Sequence, residues 1–158
     1  MRILGVDPGT SLTGYGIIEA EGKSYEALDF GVLKGLANIK NADRVLEVYN
    51  FFDKLIKKHK PNQMGIESLF FFKNMKTVLK VSEMRGVLLL VAAKNGIEIR
   101  EFTPLQVKQA VTSYGRADKK QVQKMVEMIL NLKIAKSVPD DAVDALAIAI
   151  CCANTKEY

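Results

Sequence analysis

Met1-Arg2-Ile3-Leu4-Gly5-Val6-Asp7-Pro8-Gly9 opens the chain, and the rest of the fold is read outward from it. A short apolar run that ends in Asp-Pro-Gly predicts a strand followed by a tight turn. Gly14-Tyr15-Gly16-Ile17-Ile18 continues as a second strand. Residues 25–33 alternate loosely, close on Gly35, and read as a third. Short turns join the three, which predicts a β-meander.

The pattern then changes period. Ala42, Val45, Leu46, Tyr49, Phe52, Leu55 and Ile56 recur at three and four, the spacing of an amphipathic helix, and Lys60-Pro61 ends it. Gln63-Met64-Gly65-Ile66-Glu67 reads as a short strand. Residues 73–95 read as a long helix with Gly96 as its stop, and residues 97–100 as another strand. Pro104 suits the first position of a helix running to Val111. Asp118 and Gln121 stand at capping-box spacing, ahead of a helix that buries Val122, Met125, Val126, Ile129 and Leu130. Pro139 introduces a last helix, residues 140–153. The order βββαβαβααα predicts an α/β layered fold with a mixed sheet. At 158 residues, with no repeat or linker, a single domain over 1–158 is expected.

Composition narrows the class. Apolar residues make up 48% and charged residues 26%, a globular balance. No apolar run reaches the roughly 18–20 residues of a membrane span, and residues 87–93, the strongest candidate, lie between Arg85 and Lys94. Met1-Arg2 leads straight into the first strand, leaving no secretory signal, so a cytoplasmic location without membrane attachment is expected. The net charge of +5 points modestly to an anionic partner such as nucleic acid. Cys151 and Cys152 are adjacent, lack metal-ligand spacing and read as small buried residues. His59, the only histidine, sits in Lys57-Lys58-His59-Lys60 and reads as a solvated helix end.

Acids stand out at three places. Asp7 ends the opening strand, where an ordinary turn role also fits. Glu67 ends a short core strand, where an acid needs water, a partner or a metal. Asp140, Asp141 and Asp144 begin the last helix. The helix dipole explains acids in a first turn. Asp144, one turn in, lies among Ala142, Val143, Ala145, Leu146, Ala147, Ile148, Ala149 and Ile150. A helix apolar all round is a buried helix, and a carboxylate on it needs a compensating cation. Asp141 and Asp144 are about 60° apart around the axis and Asp140 and Asp144 about 40°, so spacing alone does not choose between Asp140 and Asp141. Oxygen ligands without Cys or clustered His favour Mg²⁺ or Mn²⁺ over zinc. Two hard ions on shared carboxylates can activate water and hold a scissile phosphate. Lys73, Lys76, Lys80 and Arg85 form one basic group and Lys108, Arg116, Lys119, Lys120 and Lys124 another. About half of these lysines fit a plain solvated surface. Phe70-Phe71-Phe72 could be core or could stack on unpaired bases.

Together these segments resemble the RuvC Holliday-junction resolvase family of the ribonuclease H-like superfamily. The resemblance is carried by Gly5-Val6-Asp7-Pro8-Gly9, Thr13-Gly14-Tyr15-Gly16, Ile66-Glu67, Lys73-Asn74, Arg85-Gly86, Gln106-Val107-Lys108-Gln109 and Asp141-Ala142-Val143-Asp144-Ala145-Leu146-Ala147, in order along the whole chain. It implies a mixed five-stranded sheet with helices on both faces. It implies Asp7, Glu67, Asp141 and Asp144 as the metal-binding catalytic set, with Asp140 an additional acid. It implies a Mg²⁺-dependent endonuclease, with Mn²⁺ able to substitute, that makes paired symmetric nicks in four-way junction DNA and leaves 5′-phosphate and 3′-hydroxyl ends. Phe70 is the aromatic implied to enter the junction. Lys73, Asn74, Lys80, Arg85, Lys108 and Lys119 are the implied DNA contacts. A homodimer through the long helix at 73–95 and work beside the RuvA–RuvB branch-migration complex are implied too.

Three other readings share some of these features. A ribonuclease H-like nuclease on RNA–DNA hybrids would use the same acids. An actin-like ATPase or sugar kinase matches Asp7-Pro8-Gly9-Thr10-Ser11 superficially but needs two such domains around a nucleotide. A non-catalytic DNA-binding module fits the charge but gives no reason for Asp144.

Overall fold

The computed structural model describes residues 1–9, 11–35, 39–68 and 75–155, with 75–77 as backbone alone. The elements follow the expected order. β1 (Arg2–Asp7), β2 (Leu12–Glu21) and β3 (Ser24–Lys34) form the antiparallel meander. The β2–β3 turn is closed by Gly22, whose φ of 61° suits glycine. α1 (Asn41–His59) then crosses over to β4 (Gln63–Glu67), which lies parallel to β1. α2 (Met75–Lys94) crosses to β5 (Glu98–Phe102), parallel to β4. α3 (Pro104–Thr112), α4 (Lys119–Ile129) and α5 (Asp140–Asn154) complete the chain. Strand order is β3-β2-β1-β4-β5, a five-stranded mixed sheet with β1 at its centre.

Local chemistry explains the boundaries. Lys60, at φ 50°, turns the chain out of α1 just before Pro61. Gly96, at φ 68°, does the same after α2. Thr103 and Asp118 each cap a helix through a complete capping box, with Gln106 and Gln121 reaching back to the cap N–H. β4 spans 63–67 as the sequence pattern predicts, whereas β2, β3 and β5 run longer. β2 begins at Leu12 and ends at Glu21, because pairing with β1 and β3 carries it beyond its apolar segment. β5 is shifted to 98–102 by its pairing with β4, from Gln63–Glu98 to Glu67–Phe102. Ile97 is buried just outside it.

Two apolar layers sandwich the sheet. Leu4, Val6, Ile17, Met64 and Ile66 pack with α1 and α2 on one face. Ile3 and Ile18 pack with α3, α4 and α5 on the other. Helices therefore cover both faces. α5 is buried from Ala145 through Cys152, as its composition requires, and both cysteines are free and buried. Among the described residues no helix is long and apolar enough to cross a membrane.

His59 departs from expectation. It is 9% exposed, not solvated, and its Nε2 lies 2.9 Å from Asp29 Oδ2. Asp29 also accepts from Lys58 Nζ at 3.0 Å. The Lys-Lys-His-Lys setting concealed that this helix end docks against an acid on β3.

Candidate active site and metal centre

Strand alternation decides which acids meet. Leu4 and Val6 face α1 and α2, so Ile3, Gly5 and Asp7 face α5. On β4, Met64 and Ile66 face α1 and α2, leaving Gln63, Gly65 and Glu67 on the α5 side. The parallel register sets Val6 beside Ile66. Asp7 and Glu67, one residue further on, thus end adjacent strands on the same face. The carboxyl ends of parallel strands are a natural ligand crevice.

Glycines bring α5 down onto this crevice. Gly5 pairs with Gly16 on one side and Gly65 on the other, a row of three across the central strands. A Cβ at Gly5 would overlap the Ala145 carbonyl, and one at Gly16 would come within 2.8 Å of Leu146 Cδ2. Gly14, opposite Asp7, lies under the start of the helix, where a Cβ would overlap the Asp141 carbonyl. The helix rests on the sheet backbone itself, which brings Asp141 in its first turn and Asp144 one turn in close enough to act on Asp7. Thr13, fully buried, supports the turn after Asp7 through its hydroxyl, 3.5 Å from the Gly9 carbonyl oxygen.

The electrostatics confirm one shared field. Burial, then the charges of Glu67, Asp144 and Asp141, push the Asp7 carboxyl up to about 7, while Lys119 pulls it down. Burial and then Asp144 raise Glu67, opposed by Lys108. Burial also raises Asp144, opposed by Lys119 and Lys108 and assisted by Asp140 and Asp141. Lys119 is raised in turn, chiefly by Asp144. Mutual perturbation of this kind is common where charged groups are gathered at functional sites.

Asp144 is not sealed inside the protein, as its apolar helix suggested. Its side chain is 40% exposed and opens into a cleft of about 290 Å³ lined by Lys119, Lys120, Gln123, Asp140 and Val143. Ala142, Val143 and residues 145–152 of α5 are buried, whereas Asp144 faces this cleft. The acids form an open set, and among the described residues no three are drawn tightly enough to hold an ion as they stand. Their chemistry nevertheless fits a hard divalent cation: oxygen donors only, and like charges crowded around the half-buried Asp7.

The other expected site residues fall in different places. Lys108 and Lys119 flank the acids. Lys80 is exposed on α2. Arg85 does not present a free basic face: its side chain is 15% exposed and Nη2 lies 2.6 Å from Glu101 Oε2, tying α2 to β5. Phe70, Lys73 and Asn74, with Phe71 and Phe72, lie outside the described residues, as does the side chain of Lys76.

The family model described as crossover junction endodeoxyribonuclease RuvC matches residues 3–152. The chain belongs to the RuvC family. A RuvC of Ruminiclostridium cellulolyticum is 53% identical, the match covering 98% of this chain and 93% of that one. One from Fusobacterium nucleatum is 48% identical over 98% and 81%. The solved RuvC of Thermus thermophilus superposes with a TM-score of 0.87 at 32% identity, covering 96% and 92%. The same protein in complex with Holliday junction substrate gives 0.86 at 30%. The sheet and helices described above are thus a RuvC fold of the ribonuclease H-like kind.

Residue reasoning without the RuvC resemblance missed the glycine row and the Lys119–Asp140 contact. Glycine inside a strand marks close backbone approach, and Gly14-Tyr15-Gly16 within an apolar run was the available signal. Nothing in the sequence pairs Lys119 with Asp140, which are 21 residues apart.

Proposed function

We propose that this RuvC-family protein cuts four-way junction DNA at the carboxyl ends of β1 and β4, with Asp7, Glu67, Asp141 and Asp144 as the acids that do the work. It is a Holliday-junction endonuclease and a metal-dependent one; Mg²⁺ is the assigned ion, with Mn²⁺ able to replace it. The observation that carries the site is the geometry around Asp7: it ends β1 beside Glu67 on β4, and the first turn of α5 lies against its β2 partner Gly14, so that burial and then the charges of Glu67, Asp144 and Asp141 push its half-buried carboxyl up to about 7. Asp7 and Glu67 offer oxygens from a rigid sheet edge, and Asp141 and Asp144 close the site from α5. Asp7, Glu67, Asp141 and Asp144 would hold a divalent cation there, which would supply Lewis-acid polarisation of the scissile phosphate and a lowered pKa for water. Lys108 and Lys119 stand beside the acids, placed to hold the DNA backbone.

Further assignments follow the same reading. Phe70 enters the junction. Lys73, Asn74 and Lys80 contact DNA from the α2 side, and Arg85 does so by exchanging Glu101 for a phosphate. Two copies pair through α2, which shows Leu79 at 60% and Leu90 at 54% exposure, large for apolar side chains. The pair nicks two symmetry-related strands, leaving 5′-phosphate and 3′-hydroxyl ends, beside RuvA and RuvB. A cleavage assay with Mg²⁺ on a synthetic four-way junction and on an RNA–DNA hybrid duplex tests the substrate. Paired nicks in the junction with the hybrid intact are expected; preferential cutting of the hybrid overturns the reading.

A further inference from the structure

Lys119 and Asp140 belong to the site's wall, yet neither role follows from the four acids. Lys119 Nζ lies 3.3 Å from Asp140 Oδ2 and 4.0 Å from Asp144 Oδ2. One ammonium therefore bridges an acid at the rim of the cleft and an acid within it. The Asp118–Gln121 capping box fixes the backbone at the start of α4. The Lys119 side chain is 71% exposed and Asp140 68%. Lys119 can therefore move between partners without unpacking anything, and its long stem makes that motion inexpensive.

We propose that Lys119 is an exchangeable counter-ion: it neutralises Asp144 in the metal-free protein, yields Asp144 to the divalent cation, and stays tethered to Asp140. This deepens the reading of Asp144 as a metal ligand and rests on it. An ammonium and a divalent cation repel at about 4 Å, so the two compete for Asp144. Asp140 gives the displaced ammonium a second partner at the cleft's lip, where a DNA phosphate can take it over. Metal loading and the release of Lys119 toward DNA become one event. Asp140 is then a positioning residue rather than a metal ligand, which accounts for an acid that the four-carboxylate set leaves over.

The test is Mn²⁺ titration of the full-length, DNA-free protein by calorimetry. Lys119→Met is expected to bind Mn²⁺ about tenfold tighter than wild type, the effect of removing one competing charge at contact range. Lys119→Arg should stay near wild type. Lys120→Met, which removes the same charge from the same cleft, should tighten binding far less. Asp140→Asn should weaken Mn²⁺ binding, because Lys119 falls back wholly on Asp144, and that loss should nearly vanish when residue 119 is methionine. Unchanged affinity in Lys119→Met, or an equal gain in Lys120→Met, overturns the exchange. Equal weakening by Asp140→Asn in both backgrounds makes Asp140 a ligand and overturns the tether. Asp144→Asn reports separately on the underlying reading. If it takes up Mn²⁺ like wild type, the ligand assignment fails and the exchange falls with it. If it loses Mn²⁺ while Lys119→Met is unchanged, the exchange alone is overturned.

Discussion

Gly14 and Asp141 touch through their backbones: the space a Cβ on Gly14 would fill is taken by the Asp141 carbonyl. Gly14 is the β2 partner of Asp7. One contact therefore fixes the height of α5 above the sheet beside the carboxylate it must meet. Gly14→Ala should lift the first turn of α5. Overpacking of this kind costs roughly 1–3 kcal/mol, visible in denaturant unfolding. Junction cleavage should fall by more than the folded fraction does, because Asp141 and Asp144 move away from Asp7. A variant that loses stability yet cuts normally per folded molecule would show that α5 height is not critical.

Asp7 sets a pH dependence for the metal-free protein. Its folded pKa is raised from 3.8 to about 7. A raised carboxylate contributes stability that is full below its unfolded pKa and is lost as pH rises through the folded value. That window runs from about pH 4 to about pH 7. Asp7→Asn removes the charge, so at pH 8 without metal it should be roughly 2–4 kcal/mol more stable than wild type. The gap should close near pH 4. Mg²⁺ should stabilise wild type and leave the variant nearly unmoved. Thermal unfolding across pH, with and without Mg²⁺, measures all three, and equal stability at pH 8 would contradict the crowded-acid picture.

Lys108 sits where its charge lowers both Glu67 and Asp144. If it holds a backbone phosphate, Lys108→Ala should weaken junction binding and reduce the slope of log K against log salt by close to one. Binding measured in Ca²⁺ over a salt series checks this, and an unchanged slope would place Lys108 off the DNA.

His59 and Asp29 join α1 to β3 away from the acids, 2.9 Å apart and largely enclosed. His59→Ala leaves Asp29 with Lys58 and the Tyr15 hydroxyl and should cost about 1–3 kcal/mol, while cleavage per folded molecule stays at the wild-type level. A specific cleavage defect would tie this joint to the site.

These residues also show what the sequence could reveal. Periodicity and capping chemistry placed α1, α3, α4 and α5, because apolar spacing, Pro61, Thr103–Gln106 and Asp118–Gln121 are local signals. Strand ends were less legible, since Leu12 and Phe102 are recruited by partners distant in the chain. Asp7 and Glu67 were visible as strand-end acids, and their adjacency depended on a parallel register that no local pattern encodes. Asp144 stood out on its apolar helix, but its exposure did not, because the side of α5 left open to the cleft is set by packing against elements distant in the chain. His59 and Arg85 looked like parts of basic surfaces. Their partners, Asp29 and Glu101, lie on other elements, and only the folded chain brings them together.

The most direct measurement is strand-by-strand mapping of cuts in a synthetic four-way junction with Mg²⁺, wild type beside Asp7→Asn. Two nicks placed symmetrically in opposing strands are predicted for wild type, with 5′-phosphate ends. Asp7→Asn should bind the junction and cut it at least about a thousandfold more slowly, the order expected when a group acting in the transition state is lost. Cutting by Asp7→Asn near the wild-type rate would contradict the assignment of the metal-holding acids.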